Sequence, residues 1–290
     1  HPGDRNGASP GSNLAVKSAT FRFSGVSAHA AASPDRGRSA LDGAEALDYM
    51  ANMMREHVPQ ETRIHYVITD GGSAPNVVPD HAEVYYYVRH PQAEMVRSIF
   101  ERLVKAAEGA AAGTGTTVEY EVVGGAYERL PVVALQEMVY ENLKAVGGVA
   151  YDAEEQAFAE ALKTTLPAEP ALGSQHDIQP FEWEQTYASS DAGDVSWTVP
   201  TSTLSTATWV PGTAAHSWQA IAAGGVSIGP KGMMVAAKTM AFTAVDLFSD
   251  ASKVAKVRSE FLERRGPNFV YTPLLGDRKP PLDYRASVMR

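Results

Sequence analysis

The first half of the chain carries an ordered series of hydrophobic patterns that constrains the fold more than any other feature. Over residues 16–25, Ala19, Phe21 and Phe23 alternate with polar neighbours, which predicts a half-buried strand. Further strands are predicted at 63–69, 82–89 and 116–123, and helices at about 39–57 and 92–112. The order strand, helix, strand, strand, helix, strand is that of the split βαβ, ferredoxin-like arrangement.

Both predicted helices are apolar along one side only. In the first, Leu41, Ala44 and Leu47 recur at three- and four-residue steps, and Pro59 follows its end. The second is expected to close at Gly113. Two helices of this kind cover one face of a sheet, so the opposite face is predicted to be solvated or paired with something else.

The second half of the chain has a less regular pattern. Helices are predicted at 135–146, from 152, at 231–247 and at 251–264, with strand-like segments near 195–198 and 202–210. Residues 167–190 form a long irregular stretch. Two or three weak strands are too few for an independent α/β domain, and this half is interpreted as the closing part of a larger sheet whose first strands lie elsewhere.

Composition and charge exclude several classes of protein. Lys and Arg number 25 against 34 Asp and Glu, a formal charge of −9, which argues against nucleic acid or an anionic membrane as the main partner. The chain has no cysteine, which excludes disulfides and thiolate metal sites within these residues and fits a reducing, cytoplasmic location. The longest apolar run, 233–248, is interrupted by Lys238 and Asp246.

His29 is the first candidate for chemistry. It lies in a loop of small residues between the first strand and the first helix, where its side chain can reach outward. A histidine in that place could donate a hydrogen bond to a developing oxyanion. The alternative is an ordinary loop histidine in a turn that leads into a helix.

Asn76 and Arg89 are candidates for binding a carboxylate. Asn76 lies in a turn between two prolines, and Arg89 ends a predicted strand. The guanidinium fork matches carboxylate geometry and the amide adds a further donor, so the two together could clamp a substrate carboxylate. The alternative is a turn-forming asparagine and an unrelated charge at a strand end.

The second half holds candidates for a metal site. His216 follows a Pro-Gly turn in a loop that could present a metal ligand, or it could be a buried, hydrogen-bonded histidine. Asp191 and Asp194 could orient metal ligands, although aspartate beside glycine is more often a turn former. None of the eight histidines forms an HExxH or HxH pair, so spacing alone predicts no self-contained metal site.

Taken together, five segments in this order resemble the zinc-dependent aminoacylase/carboxypeptidase family of amidohydrolases. They are AHAAASPDRGRSALD, REHVPQETRIHY, PNVVPDHAEV, SDAGDVSW and GTAAHSWQ. The resemblance implies an α/β metallohydrolase catalytic domain into which an α+β, ferredoxin-like lid is inserted. Residues 1–15 would then end an N-terminal catalytic segment or linker, 16–128 would form the lid, and 129–290 would be the C-terminal part of the catalytic domain.

The same resemblance implies roles for individual residues. His29 matches a lid histidine that reaches into a neighbouring subunit's site and polarises the scissile carbonyl. Asn76 and Arg89 match positions that bind the substrate's carboxylate end. His216 matches a metal-ligating histidine, and His1 resembles a second ligand just upstream of the lid.

The resemblance also implies cofactors. The family holds two metal ions, Zn²⁺ or alternatively Mn²⁺ or Co²⁺, and its remaining ligands and its catalytic glutamate precede the position of His1. We therefore expect this chain alone neither to bind zinc tightly nor to hydrolyse amides.

Substrates and partners follow from the same resemblance. The parent protein is expected to cleave N-acyl or N-aroyl amino acids such as p-aminobenzoyl-glutamate and to pair through its lid with a second copy or with a homologous subunit. The alternative function is a non-catalytic dimerisation module that pairs with a chain carrying the metal site.

Overall fold

The structure is a computed structural model that describes residues 2–167, 171–279 and 282. The strands are β1 (Pro2–Gly3), β2 (Gly11–Ser12), β3 (Ala15–Ser24), β4 (Arg63–Asp70), β5 (His81–His90), β6 (Thr117–Ala126), β7 (Glu184–Gln185) and β8 (Thr206–Ala207). The helices are α1 (Ala40–Met54), α2 (Ala93–Thr114), α3 (Val133–Val146), α4 (Ala153–Lys163), α5 (Ala192–Ser196), α6 (Trp218–Gly224), α7 (Ile228–Ser249) and α8 (Ala251–Arg265).

The chain divides into two compact units. The sheet unit comprises Asn13–Arg129, Tyr187–Asp194 and Val270–Arg290. The helical unit comprises His1–Ser12, Leu130–Thr186 and Val195–Phe269. The predicted boundaries at 16, 128 and 129 lie within three residues of those of the main sheet segment, but two later segments also join the sheet unit.

The sheet unit contains a four-stranded sheet in the order β4-β5-β3-β6. All three neighbouring pairs are antiparallel. With α1 and α2 in the connections, this is the ferredoxin-like topology that the sequence predicts. The boundary of α2 differs slightly from the prediction, because Gly113 lies inside the last turn and Gly115 adopts the left-handed conformation (φ 68°) that ends the helix.

The core of the sheet unit lies between α1, α2 and one face of the sheet. Phe21 of β3 is fully buried, stacks on Tyr120 at 5.5 Å between ring centroids and meets Tyr86 edge-on at 5.8 Å. Leu47 from α1 and Leu103 from α2 are also fully buried. Burying side chains of this size stabilises a fold by roughly 1.5–3 kcal/mol each, which anchors both helices to the same face.

The opposite face of the sheet is polar and is partly covered by the chain itself. Arg22 bonds Glu83 at 2.9 Å and Glu121 at 3.2 Å across three strands. Arg278 pairs with Glu121 on this face at 3.1 Å and donates to the carbonyl oxygen of Val122, at the β6 edge, at 2.8 Å. The sequence predicts a solvated or paired face, and the structure shows that a later segment of the same unit occupies part of it.

The helical unit differs more from its prediction. The segment predicted as a strand at 195–198 continues α5 into a turn, because Ser190 and Gly193 form a turn that starts the helix. Only Thr206–Ala207 is a strand within 202–210, and it pairs in parallel with Pro2–Gly3. Among the described residues no single helix is long and apolar enough to span a membrane, although α6 and α7, bent by 73°, satisfy length and composition together.

The buried carboxyl group of Asp48, in the sheet unit, leads to a prediction about the pH dependence of stability. Asp48 on α1 is 6% exposed and accepts a hydrogen bond from the Tyr86 hydroxyl. Burial raises the pKa of Asp48 to about 6, while the Tyr86 bond opposes that rise. Because the pKa is raised, the folded state keeps this proton up to a higher pH than the unfolded state does. The free energy of unfolding therefore falls as pH rises from about 4 to about 6 and is constant above about pH 6.

We expect the substitution Asp48→Asn to remove this pH-dependent loss of unfolding free energy, which is on the order of 3 kcal/mol. Thermal unfolding monitored by circular dichroism between pH 4 and pH 7 measures it, and the advantage of the variant over the wild type should grow across that range. Tyr86→Phe should increase the pH-dependent loss, because the opposing hydrogen bond is gone. An Asp48→Asn curve parallel to that of the wild type would contradict the assignment.

Candidate active site

Two loops at one end of the sheet hold His29 and Asn76 together. Residues 29 and 77 form a β-bridge, and the Ala30 N–H donates to the Asn76 carbonyl at 2.9 Å. Both His29 and Asn76 are exposed. A cavity of about 520 Å³ opens beside them, lined by residues of both loops and of the start of α1. The structure therefore brings these two predicted residues to one place.

The imidazole of His29 is oriented by its own loop. Its Nδ1 accepts hydrogen bonds from the N–H groups of Ala31 at 3.2 Å and Ala32 at 3.1 Å. A nitrogen that accepts cannot carry the proton of the neutral ring, so the neutral tautomer is protonated at Nε2. Among the described residues no protein group bonds Nε2, which leaves this nitrogen available to donate to a ligand.

Arg89 lies at the opposite end of the sheet, on the polar face of β5. Its Nη1 approaches the Ser189 hydroxyl at 3.4 Å, and its guanidinium lies 5.2 Å from the centre of the Tyr87 ring. Its Nε is buried without a hydrogen-bond partner. Within the described residues no carboxylate pairs with this guanidinium, so it remains able to bind a carboxylate ligand.

The surroundings of Arg89 are cationic. Arg63 of β4 lies directly opposite Arg89, and His65 is two residues further along the same face. The pKa of His65 is lowered, first by burial and then by Arg89, Arg55 and Arg63. Sequence reasoning missed Arg63 and His65. Pairing the alternation in RIHYVIT with that in AEVYYYVR could have identified both.

The predicted clamp of Asn76 with Arg89 does not form within one chain. In the antiparallel register His81 pairs with Ser24, at the end that carries the His29 loop, whereas Arg89 pairs with Val16. Eight residues of extended strand span about 26 Å. Asn76 and Arg89 thus lie near the two ends of one strand, and their role in binding a carboxylate stays a prediction.

His216 lies in the helical unit, exposed, in the loop before α6. Its φ of 60° is the only positive φ of a non-glycine residue in the described chain. Such a conformation costs of order 1 kcal/mol or more and concentrates at functional sites. Gly212 of this loop donates to the Asp4 carboxylate at 3.0 Å, so the segment that follows His1 lies beside it. His1 itself is outside the described residues.

Asp191 and Asp194 lie in the sheet unit. Asp194 accepts from the Tyr271 hydroxyl at 2.8 Å and from the Tyr127 N–H at 3.4 Å, and burial raises its pKa. Asp191 is exposed and contacts the Ser190 hydroxyl. The contacts found for Asp194 tie chain segments together, and its predicted role in orienting metal ligands remains a prediction.

The described residues do not make a metal centre by themselves. Across residues 2–167, 171–279 and 282, no three His, Asp or Glu side chains form a group able to hold a metal ion. A structural zinc site takes four ligands and a catalytic one takes three with an open position. His216 is therefore at most one part of such a site.

Comparison with known proteins shows what this chain is similar to. Residues 13–115 match the peptidase dimerisation domain of M20 enzymes. The chain is 36% identical over 274 residues to one of the subunits of p-aminobenzoyl-glutamate hydrolase from Escherichia coli, an alignment that covers 85% of this chain and 57% of that protein. The chain thus contains a peptidase dimerisation domain and is similar over most of its length to an amidohydrolase subunit.

Two further matches define the extent of the similarity. The human Xaa-Arg dipeptidase is 30% identical over 150 residues, 51% of this chain and 34% of that protein. The crystal structure of AtUAH in complex with glyoxylate has the same fold over 85% of this chain and 50% of that chain, with a TM-score of 0.55 and 15% identity. The chain thus spans 57% or less of the length of these two relatives.

The cationic end of the sheet gives a measurable prediction. Because Arg89 lowers the pKa of His65, Arg89→Gln should move that pKa upward. Titration of the His65 ring by NMR measures the change, and Arg97→Gln, which removes an arginine from α2, serves as the control. An unchanged or lower pKa in Arg89→Gln would contradict the proposed electrostatics of this face.

Proposed function

We propose that this chain forms the lid and part of the catalytic domain of a metal-dependent amidohydrolase that cleaves N-acyl or N-aroyl amino acids. The observation that carries the proposal is the geometry of the exposed His29, whose Nδ1 accepts two backbone N–H groups, so that the neutral ring keeps its proton on Nε2. When an amide is attacked, negative charge develops on its carbonyl oxygen, and a preoriented donor stabilises that charge. The His29 Nε2–H is suited to donate there.

Arg89 supplies the second part of the proposed site. A guanidinium that no carboxylate of the described residues pairs with, beside a second arginine, favours binding of an anion. An N-acyl amino acid presents a carboxylate two atoms from its scissile amide. The name of the related Escherichia coli hydrolase points to p-aminobenzoyl-glutamate as one substrate of this kind.

One substrate cannot reach both groups within a single lid. The scissile carbonyl and the carboxylate of an N-acyl amino acid are neighbours, whereas His29 and Arg89 lie at opposite ends of a strand about 26 Å long. We therefore propose a site shared by two copies, in which one copy provides His29 and Asn76 and the other provides Arg89.

The free edge of the sheet is where we place the second copy. The β6 edge is engaged by Arg278, whereas β4, the other edge strand, exposes Val67 (54%) and Ile68. On the adjacent helix α1, Tyr49 is 69% exposed. A sheet edge with which no described segment pairs, and which has apolar neighbours, favours strand pairing. Antiparallel β4–β4 pairing sets the His29 end of one lid beside the Arg89 end of the other.

The proposed metal site needs more ligands than the described residues provide. By resemblance His216 and His1 would be two ligands for Zn²⁺, Mn²⁺ or Co²⁺, and a complete site needs others that these residues do not form. The same observation favours the alternative function, a non-catalytic module that assembles with a polypeptide carrying the metal site. The two are distinguished by whether a protein that includes the metal ligands needs His29 of this lid for turnover.

Substitution of His29 tests the catalytic role. In a complete enzyme carrying this lid, His29→Ala should lower kcat by about 10²–10³-fold, the usual loss for one oxyanion donor, with little change in KM or in melting temperature. The control is His57→Ala, which replaces another exposed histidine of the sheet unit. Steady-state hydrolysis of p-aminobenzoyl-glutamate measures the effect, and an unaffected kcat would remove His29 from the mechanism.

The zinc content of the isolated chain tests the incomplete metal site. We expect residues 1–290, purified after zinc loading and desalting, to hold much less than one zinc per chain and to show no amide hydrolysis. Inductively coupled plasma mass spectrometry and an assay with p-aminobenzoyl-glutamate measure both. Stoichiometric zinc that persists through desalting would contradict this expectation.

A further inference from the structure

The polar face of the four-stranded sheet carries its arginines in two different settings. At one end Arg22 bonds the carboxylates of both Glu83 and Glu121. At the other end Arg63 of β4 and Arg89 of β5 are direct cross-strand partners. The contacts found for these two among the described residues are with carbonyl and hydroxyl oxygens and with aromatic rings, and none is with a carboxylate.

The pair of arginines places uncompensated positive charge at one end of the sheet. Like charges directly opposite each other on neighbouring strands destabilise the pairing. The exposed ring of His65 follows Arg63 on the same face, and its pKa is lowered first by burial and then by the nearby arginines. A bound anion would offset this repulsion, as the two glutamates do for Arg22 at the other end.

Neighbouring groups hold each guanidinium in place. The Arg63 Nη1 donates to the carbonyl oxygens of Gln60 and Thr62, both at 2.9 Å, and the guanidinium lies 5.4 Å from the centre of the Tyr187 ring. Arg89 packs on a tyrosine ring in the same way, at 5.2 Å. Within the described part of the chain no hydrogen bond uses Nε or Nη2 of Arg63, so these donors can serve a ligand. A preoriented guanidinium loses little conformational freedom on binding.

The spacing of the pair fits a ligand that has two carboxylates. Directly opposed residues on antiparallel strands have Cβ atoms roughly 4.5–5.5 Å apart. The two carboxyl carbons of a glutamate are separated by four covalent bonds, which span about 5 Å when the side chain is extended. Each guanidinium of such a pair can therefore bind one of the two carboxylates.

We propose that Arg63 is a specificity-determining residue that binds the side-chain carboxylate of an N-acyl glutamate, while Arg89 binds the α-carboxylate of the same molecule. The inference rests on the proposed function, which assigns to Arg89 only the carboxylate beside the scissile amide. Glutamine has the same shape as glutamate but an uncharged side chain, so it would leave Arg63 without an ionic partner. The site is therefore selective for the dicarboxylic amino acid over its amide.

Ligand binding to the chain of residues 1–290 tests this selectivity without requiring catalysis, because both arginines belong to one lid. The probes are N-acetyl-L-glutamate and N-acetyl-L-glutamine, titrated separately while NMR follows the ring of His65. The wild type should bind the glutamate compound about tenfold or more tightly than the glutamine compound. Bound N-acetyl-L-glutamate should also raise the pKa of His65, because it brings negative charge beside the ring.

Three substitutions separate the contributions of the arginines. Arg63→Gln should bind both compounds equally, with about the affinity of the wild type for N-acetyl-L-glutamine. Arg89→Gln should weaken the binding of both, because it removes the contact to the carboxylate that they share. The control is Arg55→Gln, which removes a charge that also lowers the pKa of His65 but lies at the end of α1, and it should keep the preference. Circular dichroism should show that all three variants keep the wild-type fold.

The outcome with the wild type decides the matter even if a variant does not fold. Equal affinity for the two compounds, or no saturable binding of either, would overturn the proposal. A preference that survives in a folded Arg63→Gln variant would do the same. So would an equal loss of preference in Arg55→Gln and Arg63→Gln, because the overall charge of this region would then be its cause.

The role of Arg63 and the proposed function can fail separately. Hydrolysis of p-aminobenzoyl-glutamate and p-aminobenzoyl-glutamine is measured with a complete enzyme that carries this lid. Selective, Arg63-dependent binding without any His29-dependent hydrolysis would leave the carboxylate site standing and count against the catalytic role. His29-dependent hydrolysis with equal kcat/KM for the two compounds would support the catalytic role and overturn the role of Arg63.

Discussion

The antiparallel register between β3 and β5 is the constraint on which the proposed site depends. It pairs Ser24 with His81 at one end and Val16 with Arg89 at the other. The core around Phe21 fixes this register, because a shift by one residue would turn the buried side chains to the polar face. The separation of His29 from Arg89 is therefore a property of the sheet, and it is the reason that we propose a site shared between two copies.

The ferredoxin-like topology was predictable because its strands and helices are long and strongly periodic. The amphipathic faces of α1 and α2 and the alternation of β3 through Phe21 and Phe23 determine which surfaces meet. His29 and Arg89 became candidates through their loop and strand-end positions and through the family resemblance. Their separation was not predictable, because it depends on strand register. Arg63 was missed for the same reason, since only the pairing with β5 places it beside Arg89.

The helical unit was harder to predict because its strands are two residues long. Such short segments have no period of their own, so the alternation after Asp194 was interpreted as a strand where a short helix lies. The Gly and Thr residues of α7 also weaken its pattern, since they occupy the buried side while methionines and phenylalanines face outward. In both places the local sequence fits a layer larger than the one formed by the described residues.

The most direct test of the shared site is complementation between two inactive variants of a complete enzyme that carries this lid. His29→Ala and Arg89→Ala should each be nearly inactive. A mixed dimer contains one site with both residues intact and one site lacking both, so exchange of subunits at equal concentrations should restore about a quarter of wild-type activity. If the mixture stays as inactive as its components while the subunits demonstrably exchange, both residues act within one chain and the account of a shared site is wrong.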